Sequence, residues 1–156
     1  MTHQNQIIAC ARSYIGTRFL HQGRLKKTAK HKGGVDCLGL LVGVARECNL
    51  RSKTGMLLAD VDEFNYPHYP DTARLREMLS THLQEAASDR YQVADIVLFE
   101  IDGRAQHMGI LASPSTMHHA PSTTIIHAYA PARAVVEHAL DESWRQKIVD
   151  VFRLAP

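Results

Sequence analysis

The chain has 156 residues, 45% of them apolar, and a formal net charge of +2 at pH 7. That length fits one compact domain, residues 1–156, with a core of its own. The charge is too small to argue for nucleic acid as a partner. No run approaches the roughly 18 apolar residues of a membrane span, and Met1-Thr2-His3-Gln4 lacks the charged-then-apolar order of a signal peptide, so neither membrane insertion nor the usual secretory route is expected.

Ile7, Ile8, Ala11 and Ile15 recur at helical spacing and predict an amphipathic first helix over residues 4–15, with Gly16 as its stop. Cys10 lies beside that stripe and reads as a packed thiol. Residues 17–35 carry no sustained period and read as a long loop. Within it Arg24, Lys26, Lys27, Lys30, His31 and Lys32 concentrate positive charge, either to attract an anionic polymer to a site mouth or as a solvated insertion. Gly33-Gly34-Val35 then runs into Asp36, a good N-cap, and a helix ending near Asn49 whose apolar residues Leu40, Leu41, Val44, Ala45 and Cys48 suit a central element packed on a sheet. Cys37 falls in the first turn of that helix, where free N–H groups and the dipole favour a thiolate. It reads as a nucleophile or as a small buried residue. Cys10, Cys37 and Cys48 are an odd count without paired metal-ligand spacing, which fits synthesis in a reducing cytosol.

Residues 51–69 are irregular, and the cluster Phe64-Asn65-Tyr66-Pro67-His68-Tyr69-Pro70 marks an ordered loop, a wall of a substrate groove or a surface loop pinned by its aromatics. Asp71 can cap a third helix from Thr72 to about residue 85, striped by Leu75, Met78, Leu79 and Leu83. After Ala87 the period changes: residues 93–101, 108–112, 124–129, 134–138 and 147–154 read as strands, with Asp102-Gly103 as a hairpin turn and Trp144 as a core anchor in a short helical turn. Helices followed by strands indicate an α+β fold with an antiparallel sheet of about five strands.

A thiolate nucleophile needs an imidazole for its proton and a third polar group to orient that ring. Of ten histidines, His107 and His127 sit in predicted strands with apolar neighbours on both sides, and adjacent antiparallel strands bring such side chains within reach of each other. His138, in a weaker strand, is held in reserve, and His118-His119 reads as exposed. No His-Glu-x-x-His pair exists, and Cys37 with two distant histidines is an unusual zinc set, so no metal site is expected.

The stretches Ala9-Cys10-Ala11-Arg12-Ser13-Tyr14-Ile15-Gly16-Thr17-Arg18-Phe19, Gly34-Val35-Asp36-Cys37-Leu38-Gly39-Leu40, Asp95-Ile96-Val97-Leu98-Phe99, His107-Met108-Gly109-Ile110 and Ile126-His127-Ala128 together resemble the NlpC-type papain-like cysteine peptidases of bacterial cell walls. The resemblance implies Cys37 as nucleophile, His107 as base and His127 as the residue that orients it. It implies helices packed on an antiparallel sheet, no cofactor, and a peptidoglycan stem peptide as substrate, cut beside γ-D-glutamate. It also assigns substrate binding to Asp36, Leu38, Phe19 and Tyr14. Leu38 replaces the family's usual serine and Phe19 stands where a tyrosine is frequent, so two hydroxyl contacts are absent. The Phe19-Leu20-His21-Gln22-Gly23-Arg24 segment looks closest to phage and prophage members associated with tail tips, which implies tail-tip proteins as partners and delivery to the wall by a virion. A catalytically weak tail-assembly or wall-binding module is the alternative. Acyl transfer to lipids, found in relatives that look circularly permuted, is disfavoured by the Cys-before-His order.

Overall fold

The structure, a computed structural model, describes residues 1–63, 66–67, 72–113 and 123–154. Helix α1 (His3–Ser13) opens on Thr2, whose hydroxyl accepts from the Asn5 N–H, and buries Ile7, Ile8 and Ala11. The segment read as one long loop contains a two-stranded ribbon, β1 (Arg24–Leu25) against β2 (Gly34–Val35). Two residues after β2 begins α2 (Cys37–Glu47), in which every residue from Leu38 to Ala45 is buried. Such a helix, apolar on all sides, must be covered on all sides. α1, the sheet and a 3-10 turn at Leu58–Val61 cover it.

Helix α3 (Thr72–His82) stops short of the expected end because the chain turns at once into β3 (Gln84–Ala86). The strands β4 (Ile96–Ile101), β5 (Arg104–Ala112), β6 (Thr124–Tyr129) and β7 (Ala134–Ala139) follow, then α4 (Glu142–Arg145) and β8 (Ile148–Arg153). The fold is α+β, with one antiparallel sheet of six strands in the order β3-β8-β4-β5-β6-β7. The expectation of five is therefore corrected: β3 is a short, mostly polar edge strand, and only its pairing with β8 makes it one. Asp102 and Gly103 both have positive φ, 52° and 77°, and join β4 to β5 as the two-residue turn the sequence predicts. The expected cap Asp71, the residues Phe64, Asn65, His68, Tyr69 and Pro70 of the aromatic loop, and His118-His119 lie outside the described residues.

The sheet has a core on each face. α1, α2 and α3 pack on Ile96, Leu98, Met108, Ile110, Ile126 and Ala128. The opposite face carries Val97, Phe99, Leu111, Ile125, Leu140 and Val151, closed over by Trp144. Among the described residues no helix is long and apolar enough to cross a membrane.

Candidate active site

Asp36 sets the start of α2. Its Oδ1 accepts from the Gly39 N–H at 2.8 Å, the N-cap bond, and from Arg24 Nη1 at 3.2 Å. Its Oδ2 accepts from the Gln22 N–H at 2.8 Å and from the Tyr66 hydroxyl. Arg24 is itself held by Asp62 and by the Glu63 carbonyl. These bonds tie the helix start to the loop before it and to the residues after the 3-10 turn. Gly39 allows the close approach, since a Cβ there would lie 2.0 Å from the Gly23 carbonyl oxygen. Cys37, the first residue of the helix, is thereby fixed with its thiol against the backbone of β5 at Met108.

The histidines meet on the other face of the same sheet. A bulge in β5 leaves Gln106 without a partner across β4 and pairs His107 with Phe99. The β5–β6 ladder runs only from Ala112↔Thr124 to Ile110↔Ile126. Beyond it, side chains take over from backbone: His107 Nε2 and His127 Nδ1 are 2.7 Å apart. Gly109 makes that spacing possible, because a Cβ there would sit 2.6 Å from Ile125 Cδ1 and 3.1 Å from His127 Cβ. His127 Nε2 is in turn 2.8 Å from His138 Nε2, and His138 Nδ1 is 2.9 Å from the Ala139 carbonyl oxygen. Tyr129 stacks on His127 at 4.9 Å, and Trp144 covers His107, His127 and His138 at 6.3, 5.1 and 5.4 Å between ring centroids. The rings bond edge to edge in a row rather than converging on a point where an ion could sit, and no group able to hold a metal occurs among the described residues.

The row has one consistent proton assignment. A carbonyl oxygen only accepts, so His138 Nδ1 carries a proton and its Nε2 is a lone pair. His127 Nε2–H then donates to it, His127 Nδ1 accepts, and His107 Nε2–H donates to His127. His107 Nδ1 is left as a bare lone pair with no partner among the described residues.

Burial governs the charges. It holds His107 down to about 4, and it holds His127 down to about 2 with help from the His107 and His138 rings. Burial also pushes the Cys37 thiol up to about 12, aided by the Asp36 carboxylate and opposed by the N–H groups of Met108, Leu38 and Cys37 itself. The helix start therefore does not by itself yield a thiolate: at neutral pH the resting pair is thiol and imidazole. Among the described residues no hydrogen bond joins Cys37 to His107.

The four expected substrate-binding residues are placed apart. Leu38 lines a narrow cleft with Cys37, Tyr66, Arg74, Met78 and Gln106. Phe19 is half-buried beside Val35, two residues before the thiol. Asp36 is 4% exposed, with both oxygens taken up by protein donors. Tyr14 packs on Gly43 and gives its hydroxyl to Glu47 at 2.8 Å, about 9 Å of helix rise away from Cys37. The basic loop divides as well. Arg24 turns inward to Asp62 and Asp36, Lys26 pairs with Glu47 over the Tyr14 ring, and Lys27, Lys30, His31 and Lys32 line an open groove with Arg18 and Arg133. Sequence reasoning left His138 in reserve and passed over Gln106, whose buried Oε1 has no partner and which lines the Cys37 cleft. The available signal for His138 was its parity with a strand facing His127; the β5 bulge had none.

No protein-family model matches the chain, and no curated protein is similar to it in sequence. Solved structures share its fold. An N-acetylmuramoyl-L-alanine amidase from Bacteroides uniformis is 12% identical with a TM-score of 0.54, the match covering 96% of this chain and 99% of that one. Ly7917 is 15% identical with a TM-score of 0.54, and its structure with the hydrolyzing product of MDP is 14% identical with a TM-score of 0.53. This chain spans 62% of the length of Ly7917. At these identities the likeness is one of fold alone.

Proposed function

We propose that the chain is a papain-like, NlpC-type cysteine hydrolase, an endopeptidase or amidase, acting on peptidoglycan stem peptides. The observation that carries this reading is the bare Nδ1 of His107, left by the hydrogen-bonded row on the residue just before Met108, whose N–H reaches the Cys37 thiol. A base with a free lone pair, one residue along the strand from the backbone that meets the thiol, is the partner that nucleophilic attack requires. Cys37 gives its proton to His107 Nδ1 as Sγ bonds to the substrate carbonyl carbon. The oxygen that gains charge accepts from N–H groups of the first turn of α2, which have no intrahelical acceptor. His107 returns the proton to the leaving nitrogen, the C–N bond breaks, and an acyl-enzyme remains. Water then adds to the acyl carbon, its proton passing through His107 back to the thiol as the acid departs.

In this reading the bond cut lies beside γ-D-glutamate and the protein reaches the wall with a phage or prophage tail tip, both on the strength of the motifs. The fold shared with a muramoyl-alanine amidase supports the wall as the place of action. Cys37→Ala is expected to lower release of soluble fragments from purified peptidoglycan by about a thousandfold or more, with far-UV circular dichroism unchanged. Undiminished turnover in that variant overturns the proposal. The high thiol pKa and the missing thiol–imidazole bond favour, as the second reading, a wall-binding or tail-assembly module that hydrolyses little. Digestion of defined muropeptides followed by mass spectrometry separates the two, since only the hydrolase yields new termini.

A further inference from the structure

We propose that His138 is the outer end of a three-imidazole proton relay that moves the charge created at His107 out of the sheet to its exposed edge. The inference rests on the reading of His107 as the base for Cys37. His107 is 9% exposed and His127 is 0% exposed, whereas His138 is half-buried on β7, the last strand of the sheet. A proton taken from Cys37 onto His107 Nδ1 creates an imidazolium in an apolar setting between Phe99, Tyr129 and Trp144. The row offers an escape. His107 passes its Nε2 proton to His127 Nδ1, and His127 passes its Nε2 proton to His138 Nε2, across gaps of 2.7 and 2.8 Å. The balance closes: two N–H bonds break, two form, and the net positive charge rests on His138, with its Nδ1–H still on the Ala139 carbonyl.

The same count gives a control by pH. Each inter-ring bond holds one proton and the Ala139 bond holds another, so one further proton from solvent occupies His107 Nδ1 wherever its charge settles along the row. The base is then blocked. Its acid limb therefore belongs to the whole row, not to His107 alone. The titratable group facing His138 is His127 on β6; Trp144, which packs on it, carries Lys147 over its ring at 4.7 Å and stands in α4 with the Glu142 and Arg145 pair. Glu137, its neighbour on β7, is paired with Arg12 and Thr124.

His138 is thus a positioning residue, and His138→Gln tests it. Glutamine can accept the His127 N–H and keep the tautomers, but cannot take up the charge. The variant is expected to lose about tenfold in plateau kcat/KM on purified peptidoglycan and to shift its acid limb down by about one pH unit or more, since the remaining rings are buried. His138→Phe, which also frees the tautomers, is expected to lose more. The pH dependence of Cys37 alkylation by iodoacetamide, followed by peptide mapping, gives the same comparison without turnover. A His138→Gln profile that superimposes on the parent in plateau and limb overturns the relay while leaving the base in place. Full activity and unchanged alkylation in His107→Ala would instead remove the base on which the relay rests.

Discussion

His107 has a defined tautomer because the far end of its hydrogen-bonded row stops at a carbonyl group, which cannot donate. His127 is caught between two rings and is fully buried, so its role is to transmit. Both depend on Gly109, where a side chain would press on His127 Cβ from 3.1 Å. Gly109→Ala is expected to widen the His107–His127 gap, lowering activity at least about tenfold and stability by about 1–3 kcal/mol. Turnover assays beside urea unfolding check it, and an alanine variant with both properties intact would show that β6 yields without disturbing the row. Cys37 shows how burial outweighs a helix start. Three N–H groups help the thiolate, but loss of water and the Asp36 carboxylate win.

Among the elements, α2 determines where the thiol sits, and Asp36 determines where α2 begins. The carboxylate does two jobs: it caps the helix through Gly39 and it neutralises Arg24, which is largely buried. Asp36→Asn keeps an oxygen for the cap and loses the charge. Asp36→Ala loses both. The alanine variant is expected to be destabilised by about 3–5 kcal/mol, and the asparagine variant by clearly less. Urea midpoints order the pair, and equal losses would mean that the cap contributes nothing. The β5 bulge at Gln106 is the other decisive element, because it sets which face His107 takes.

For the whole molecule, the row of neutral rings makes the fold acid-sensitive. His107 and His127 bind protons near pH 6.5 when unfolded but resist until about 4 and about 2 when folded. Between those limits the unfolded chain holds more protons, so stability rises with pH there and falls as acid is added. With both rings neutral in the fold and charged when unfolded, the loss is on the order of 2 kcal/mol per pH unit between about pH 6 and pH 4. Urea midpoints at pH 7, 6 and 5 are expected to fall steadily, and a flat series would contradict the buried neutral row.

Periodicity alone was enough for α1, α2, the hairpin at Asp102-Gly103 and the order of helices before strands, because each follows from neighbours within one or two turns of chain. The candidates were legible from local pattern too, Cys37 from its place in the first turn of a helix after a glycine-rich loop, His107 and His127 as strand residues with apolar neighbours on both sides. Register was not legible. Whether β3 pairs at all, which residues bulge, and where the β5–β6 ladder stops depend on contacts between residues far apart in sequence. Those contacts join His138 to His127, separate Tyr14 from Cys37 by half the length of α2, and take enough water from the half-buried Cys37 to push its pKa up rather than down. A proton's position on an imidazole depends on what lies at the other end of its hydrogen bonds, and only the folded sheet brings that end into reach.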